Sequence, residues 1–522
     1  MQIVQILHLC KIKLCKESIW FYWPQVEIDK NAFYLQAVCI GANKVIYAMA
    51  NIKDLLKTPQ YDSLKSILDI AGSLGEQEGK EIYVVGGFVR DLLMGKSIND
   101  IDIMTVGEGI PFAERLSNKL GRKKVVPFEK FGTALIPGGE IQIEVATARK
   151  ENYNNDSRKP SKVVYTDLEG DLLRRDFTIN AMAMDIRPSS FGVLTDPYGG
   201  ITHIQKKIIQ TPLDPDETFS EDPLRMMRAA YFASKLGFKI EEKCRRSIKK
   251  QSSRIDIVSK ERIRDEFIKI LRTNKPSIGL VILQKTGLME IIFPEINVMY
   301  GMDQTKEWHH KDIFAHTMQV VDNSAKLSDK MELRFAALVH DIAKPITRRI
   351  DKKKGYTFHG HDAIGEKMID TVAKRMKLSN HLKDYLKKLT LLHLRPIALV
   401  KDVVTDSAVR RLMVAAGENL DDLMTLCRAD ITTKNPNRVK RYLKNFEKVE
   451  KKMVNVLEKD KIVAFQSPVK GQEIMDVCGL TEGREIGVIK KAIEEAILEG
   501  MIGNTHDEAL EYLFKIKDDY PK

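Results

Sequence analysis

Tyr83-Val84-Val85-Gly86-Gly87-Phe88-Val89-Arg90-Asp91, followed shortly by Asp100-Ile101-Asp102, decides the fold of this chain. The stretch reads as a strand, a glycine pair, a short helix and a second strand carrying Asp-x-Asp. Glycine has no Cβ, so a Gly-Gly turn lets backbone N–H groups approach a phosphate closely. Side chains alternate along a strand, so Asp100 and Asp102 point the same way. Two adjacent carboxylates repel unless a divalent cation sits between them, and Mg²⁺ takes oxygen ligands and bridges to phosphate. A site for a nucleoside triphosphate and metal is expected here.

Four more motifs follow in order. They are Arg174-Arg175-Asp176-Phe177-Thr178-Ile179-Asn180-Ala181, Asp196-Pro197-Tyr198-Gly199-Gly200, Glu221-Asp222-Pro223-Leu224-Arg225-Met226-Met227-Arg228 and Arg262-Ile263-Arg264-Asp265-Glu266. With Gly86-Gly87-x-x-Arg90-Asp91 and Asp100-x-Asp102, this set resembles the class II tRNA CCA-adding enzymes and bacterial poly(A) polymerases, from about Ile82 to the C-terminus. The resemblance implies an α+β fold. A polymerase-β-like nucleotidyltransferase head with a mixed sheet is followed by an all-α neck and body, an HD domain and a helical tail. The expected divisions are a leader at 1–48, the head at 49–186, neck and RNA-binding body at 187–304, the HD domain at 305–434 and the tail at 435–522.

The bulk properties agree. A chain of 522 residues accommodates two to four domains. Its net charge of +12 favours a polyanionic partner. The six cysteines are scattered without a Cys-x-x-Cys pair, which argues against a disulfide framework or cysteine zinc site and fits a reducing cytoplasm. No apolar run is long enough to span a bilayer, so no membrane partner is expected, and no stable protein partner is evident. Residues 1–48 hold half the cysteines and two of the three tryptophans and precede the resemblance. Met49 then opens a helix-like segment, Ala50 to Leu56, and is the expected true start.

Apolar spacing predicts a helix from Asp62 to Glu78, through Leu64, Ile67, Leu68, Ala71 and Leu74. Strand Ile82–Val85, a helix over Phe112–Leu120 and strands Thr133–Pro137 and Ile141–Ala146 follow. The polar run Asn152 to Lys162, with Pro160, reads as a loop. The sheet is expected to end near Asp185–Ile186, and the chain to be almost wholly helical beyond Thr218.

In the head, extension of a nucleic acid is an in-line attack of a 3′-hydroxyl on an α-phosphate, for which the protein supplies metal, positioning and charge. Asp100 and Asp102 are the expected Mg²⁺ ligands. Glu144 is a candidate third catalytic carboxylate, because the family places an acid on a neighbouring strand. Gly86, Gly87, Arg90 and Asp91 would form and brace the turn around the triphosphate. By resemblance, Arg174, Arg175, Asp176 and Asn180 lie near the sugar and phosphates; Arg forks suit phosphate and Asn or Asp suits a ribose hydroxyl. Residues 149–168 fall where the family has a flexible element that helps switch from C to A addition.

In the neck, Glu221-Asp222-Pro223 is expected to open a helix, with Asp222 and Arg225 neighbours on one face and Arg228 continuing it. Cytosine and adenine each offer an amino donor beside a ring-nitrogen acceptor. A carboxylate and an Arg suit both, whereas uracil and guanine would leave buried groups unpaired at about 1–3 kcal/mol each. Base selection is the role the family gives this motif.

Eight of the eleven histidines fall between His309 and His393, with His316, His340-Asp341, His359-x-His361 and His393 in order. His340-Asp341-Ile342-Ala343-Lys344 looks like the core motif of HD phosphohydrolases. Imidazole and carboxylate suit a divalent metal, whose identity the sequence leaves open. By resemblance the ligands are His316, His340, Asp341 and a distal Asp, Asp430 being favoured over Asp406. His361 and His393 would serve a second metal.

The expected activity is template-independent addition of CCA to tRNA 3′ ends from CTP and ATP. One alternative is a poly(A) polymerase, or an enzyme adding only CC or only A. Bacterial poly(A) polymerases follow their Gly-basic-basic segment with Phe and His-Val, whereas here Gly121-Arg122-Lys123-Lys124 precedes Val125 and Phe131-Gly132-Thr133-Ala134. That departure counts against poly(A) synthesis. The alternative from another class is an HD phosphohydrolase acting on RNA ends or nucleotides.

Overall fold

The computed structural model describes residues 39–41, 44–46, 51–122, 124–154, 157–303, 312–352, 355–400, 405–460 and 467–519. The chain divides into two compact units, Met1–Asn51 and Ile52–Lys522. Of the first unit, the described part is an antiparallel pair, Cys39–Gly41 with Lys44–Ile46. The rest of the 1–48 leader, the 304/305 boundary, His309 and His310 lie outside the described residues.

In the second unit the strands of the head are, in chain order, β1 (Ile82–Val85), β2 (Asp100–Thr105), β3 (Val126–Phe128), β4 (Thr133–Ile136) and β5 (Gln142–Thr147), then a separate hairpin of β6 (Arg149–Asn154) and β7 (Ser157–Tyr165), then β8 (Ala183–Asp185) and β9 (Leu194–Thr195). The mixed sheet runs β9-β8-β1-β2-β5-β4-β3. Every neighbouring pair in it is antiparallel except β2 and β5. The alternation read from the sequence holds on β2: Ile101 and Ile103 are fully buried, against a core that includes Leu68 and Phe112, while exposed Asp100 and half-buried Asp102 face the other way. The helix Asp62–Gln77 packs on the buried face so closely that a Cβ on Gly72 would lie 1.8 Å from the Ile186 carbonyl oxygen.

Three local expectations are corrected. Asn152 to Lys162 is not a loop but most of the β6–β7 hairpin. The register shifts around Tyr153 place Pro160 opposite it, and such an irregularity is where a strand tolerates a residue with no N–H. The sheet does not end at Ile186, because β9 adds Leu194–Thr195 at its edge. Residues Lys53–Lys57 form a 3₁₀ turn rather than the start of an α-helix.

The neck departs from expectation too. Two helices, Pro215–Glu221 and Leu224–Leu236, meet at Asp222-Pro223. A residue before proline is pushed out of the helical region, and Asp222 is extended at φ −135°, ψ 98°. From there a continuous core runs through the body and into the histidine-rich domain. Phe267, Phe293 and Phe335 meet in it with ring centroids 5.8–6.3 Å apart. The tail has its own small core, including Ile474, Ile489, Ile493 and Leu513. Beyond the head, helices dominate, interrupted by a short parallel pair, Ile208–Ile209 with Lys239–Ile240, and by a hairpin, Arg349–Asp351 with Gly355–Thr357. No described helix is long and apolar enough to cross a membrane.

Candidate functional sites

Three acids meet at the exposed face of the head. Asp100, Asp102 and Glu144 lie on the adjacent parallel strands β2 and β5, with Asp102 directly opposite Glu144 in register. Burial pushes the Asp102 carboxyl up to about 6, and the charges of Asp100 and Glu144 push the same way, against Arg175 and Arg90. A site that penalises its own negative charge is one that a cation completes. The donor set is all carboxylate oxygen, which fits Mg²⁺.

The turn beside these acids is built as the glycine pair requires. Gly86 takes φ +69°, ψ −122°, open to glycine, and Gly87 begins the helix Gly87–Leu93. A Cβ on Gly86 would sit 2.8 Å from Arg175 Nη1, so that guanidinium lies against the turn. Arg174 and Arg175 are both aimed by Asp171, a fully buried carboxylate that accepts from each at 2.5–3.1 Å. Burial raises the Asp171 carboxyl, but the two guanidiniums outweigh it and hold it below the usual carboxylate range. Sequence reasoning passed over Asp171, although its spacing of three and four residues before two arginines, at the end of the helix Leu168–Leu173, is a legible signal.

Asp176, Asn180, Arg90 and Arg228 are not aimed at the acids. They form an internal chain of polar contacts between head and neck. Arg90, buried, donates to both oxygens of Asp91 and at 2.6 Å to Asn180 Oδ1. Asn180 donates to Asp176 Oδ1 at 3.0 Å, and Arg228 donates to Asp176 Oδ2 at 2.7 Å. Arg228 also lies 3.8 Å from Glu266. Burial raises Asp176, yet Arg228 and Asn180 keep it below its ordinary value.

Asp222 and Arg225, expected as neighbours on one helical face, take different partners. Asp222 Oδ1 accepts from the Leu224 N–H, and its Oδ2 lies 3.6 Å from Arg262. Arg225 pairs with Glu221 at 3.2 Å and donates to the Arg174 carbonyl at 2.7 Å. The Glu221–Arg228 motif is therefore tied to the head by Arg225 and to the helix Lys260–Leu271 by Arg262, a partner the sequence reading did not assign.

The histidines converge. His316 lies on the helix Ile313–Leu327, His340 and Asp341 follow Met331–Val339, His361 begins the helix His361–Met376, His393 ends Asn380–Leu392, and Asp430 ends Leu420–Ala429. They form two sets of potential ligands: His316, His340 and Asp430; and Asp341, His361 and His393. Asp341 joins them. Its Oδ2 lies 3.5 Å from His316 Nε2 and 3.1 Å from His340 Nε2, and its Oδ1 lies 3.3 Å and 3.7 Å from Nε2 of His361 and His393. Asp406, the alternative distal acid, instead faces Lys452 at 3.8 Å.

Each ring is oriented by its other nitrogen. Nδ1 of His340, His361 and His393 meets the carbonyls of Ala337, Phe358 and Thr390 at 2.7–2.8 Å, and Nδ1 of His316 meets Thr432 Oγ1 at 3.0 Å. A carbonyl at Nδ1 fixes the proton there and leaves the Nε2 lone pair free for a metal. His316 Nε2, His340 Nε2 and Asp430 Oδ1 are buried and satisfied by no hydrogen bond, which ordinary packing does not tolerate and a coordinated cation would resolve. Burial lowers His316, but Asp341 and Asp430 outweigh it and raise the imidazole to about 9. Burial and His340 push His393 down to about 4, leaving it neutral. The mixed nitrogen and oxygen donors fit a divalent transition metal.

Comparison with known proteins places these sites in a known order. Residues 82–210 match the poly A polymerase head domain, residues 237–299 the RNA and SrmB- binding site of polymerase A, and residues 313–434 the HD domain. The multifunctional CCA protein of Vibrio vulnificus (strain CMCP6) is 34% identical over 367 residues, 67% of this chain and 84% of that protein. The fold is like that of the Bacillus stearothermophilus CCA-adding enzyme in complex with CTP, at TM-score 0.59 and 24% identity, covering 88% of this chain and 98% of that one. It is also like that of the Thermotoga maritima CCA-adding enzyme complexed with tRNA_CCA, at TM-score 0.55 and 22% identity, covering 90% and 98%. With a head, an RNA-binding segment and an HD domain in this order, and this similarity along most of a relative's length, the chain belongs to the family of the multifunctional CCA proteins.

Proposed function

We propose that the protein completes the CCA sequence at tRNA 3′ ends, using CTP and ATP without a nucleic-acid template. The observation that carries this reading is the set of three carboxylates on β2 and β5, next to a glycine turn against which Arg175 lies. Mg²⁺ held by Asp100 and Asp102 would neutralise charge on the α-phosphate and favour ionisation of the attacking 3′-hydroxyl. Glu144 stands beside Asp102 to complete the acidic set. Gly86, whose own N–H donates to the Met182 carbonyl at 3.2 Å, shapes the turn, and Gly87 presents its N–H at the start of the helix to the triphosphate, while Arg174 and Arg175, aimed by Asp171, supply positive charge over it. Asp222 and Arg225 read the base edge. Arg90, Asp91, Asp176, Asn180 and Arg228 act one step back, fixing the turn and the neck that carry those groups.

The relatives' names support CCA as the product, and the solved relatives carry CTP and tRNA. The basic helix Pro436–Asp460, with Arg438, Lys440, Arg441 and Lys444, would grip the tRNA backbone in a salt-sensitive, sequence-independent way. The scattered cysteines favour a reducing cytoplasm.

A second activity has its own observation. Two ligand sets, one containing Asp341 and the other holding His340 and His316 at 3.1 and 3.5 Å from it, would form a site for divalent metal suited to hydrolysis of phosphate esters at RNA ends. Lys344 Nζ, 2.6 Å from Asp341 Oδ2, adds a positive charge for a phosphate. The variant Asp100→Ala tests the division of labour. It should abolish nucleotide addition and leave phosphate release intact; loss of both, or of neither, would overturn it.

A further inference from the structure

Beside the histidine cluster the chain makes a short hairpin, Arg349–Asp351 with Gly355–Thr357, that neither proposed activity uses. Ile350 pairs directly with Tyr356, so these two side chains share one face, and by alternation Arg348 and Phe358 continue it. The Arg348 guanidinium lies over the Tyr356 ring at 3.7 Å. Ile350 is 69% exposed and Ile346 is 56% exposed, which is unusual for two isoleucines so close together in a polar region. The result is a cationic, aromatic and apolar face on a two-stranded projection.

This face leads to the metal ligands through named contacts. Lys344 Nζ lies 5.6 Å from the centre of the Phe358 ring and 2.6 Å from Asp341 Oδ2. The Phe358 carbonyl meets His361 Nδ1 at 2.7 Å. Tyr356 stands two residues of extended chain beyond Phe358, roughly 7 Å. Cation, ring, then cation stacked on ring is the arrangement that binds single-stranded nucleic acid, in which bases stack on aromatic or guanidinium planes and phosphates meet positive charge.

We propose that Arg348, Tyr356 and Phe358 bind the terminal nucleotides of a single-stranded RNA 3′ end and lead its phosphate towards Asp341. This rests on the hydrolytic reading of the histidine cluster given above and adds the residues that hold the RNA end it acts on.

Two measurements on the full-length, metal-loaded protein test it. In the first, a short ribo-oligonucleotide with a 3′-phosphate and a terminal 4-thiouridine is crosslinked by light and the attached peptide is identified. The expected crosslink is to the peptide holding Tyr356 and Phe358, with its yield falling about tenfold in Tyr356→Ala and Arg348→Ala. Crosslinks confined to other segments, or an unchanged yield, would overturn the proposal. This readout needs no turnover, so it stands even where the hydrolytic reading fails. In the second, KM for the same RNA is compared with KM for bis(p-nitrophenyl) phosphate, which is too short to span from the metals to Tyr356. Tyr356→Ala should raise KM about tenfold for the RNA only, with kcat nearly constant. An equal change for both substrates, or none for the RNA, would contradict it. Turnover of neither substrate by the unaltered protein would refute the hydrolytic reading and leave the crosslink to decide the binding face. An unchanged unfolding temperature shows that each variant is folded.

Discussion

Asp102 stands directly across from Glu144 on two parallel strands, and burial together with the charges of Asp100 and Glu144 raises Asp102 to about 6. Asp102→Asn and Glu144→Gln should therefore each cut the rate of nucleotide addition by about a hundredfold or more while leaving tRNA affinity within a few fold. Single-turnover rates and a filter-binding titration separate the two effects. Weakened tRNA binding with an unchanged rate would place these acids outside the reaction.

The Asp222 carboxylate accepts from the Leu224 N–H and lies 3.6 Å from Arg262. Asp222→Ala should raise incorporation of U relative to C by about 10- to 100-fold, the value of one or two mismatched hydrogen bonds. Arg262→Ala, which removes a charge 3.6 Å from Asp222, should have a smaller effect in the same direction. Competition between CTP and UTP on a tRNA ending before C measures both.

Metal content distinguishes the head from the histidine cluster. His340→Ala and Asp341→Ala should lower tightly bound transition metal, read by elemental analysis of the dialysed protein, because each removes a buried candidate ligand. Asp341→Ala should lose more than His361→Ala, since Asp341 belongs to one ligand set and its Oδ2 lies 3.1 Å from His340 and 3.5 Å from His316 of the other. CCA addition in Mg²⁺ should persist in all three.

Asp171 and Asp176 both lie below the ordinary carboxyl value of 3.8 in the folded protein. A depressed folded pKa stabilises the protein fully above the unfolded value, and that contribution disappears as pH falls through the folded value. The thermal stability of the unaltered protein should fall as pH drops below about 4. Asp176→Asn should be less stable near neutrality by roughly 3 kcal/mol, having left Arg228 without its buried partner, and should show a shallower acid limb. Equal slopes would mean that Asp176 is not ionised in the folded state.

Much of this architecture is legible in the residues. The alternation around Ile101 and Ile103 marks β2, Gly86 needs its positive φ, and His340-Asp341 marks the cluster, because each depends on short-range geometry. The β6–β7 hairpin is not legible in the same way. Its strand-forming pairs are polar and interrupted by Pro160, and strand formation there depends on the partner strand more than on local propensity. The break at Asp222 follows from Pro223, but the motif's resemblance to a helix start obscures it. The grouping of Asp341 with His361 and His393, and its closeness to His316 and His340, arises from the convergence of several helices, which spacing along the chain does not encode. Asp176 and Asn180 show another limit: spacing does not reveal that they bond one another and, through Asp176, Arg228.

The most direct test of the central claim is incubation of the purified protein with a tRNA lacking its 3′ CCA, with Mg²⁺ and with CTP and ATP singly and together, products being resolved to one nucleotide. The account predicts two additions with CTP alone, and C, C and A followed by a stop with both. A long A tail, addition of A alone to this substrate, or no addition at all would contradict it.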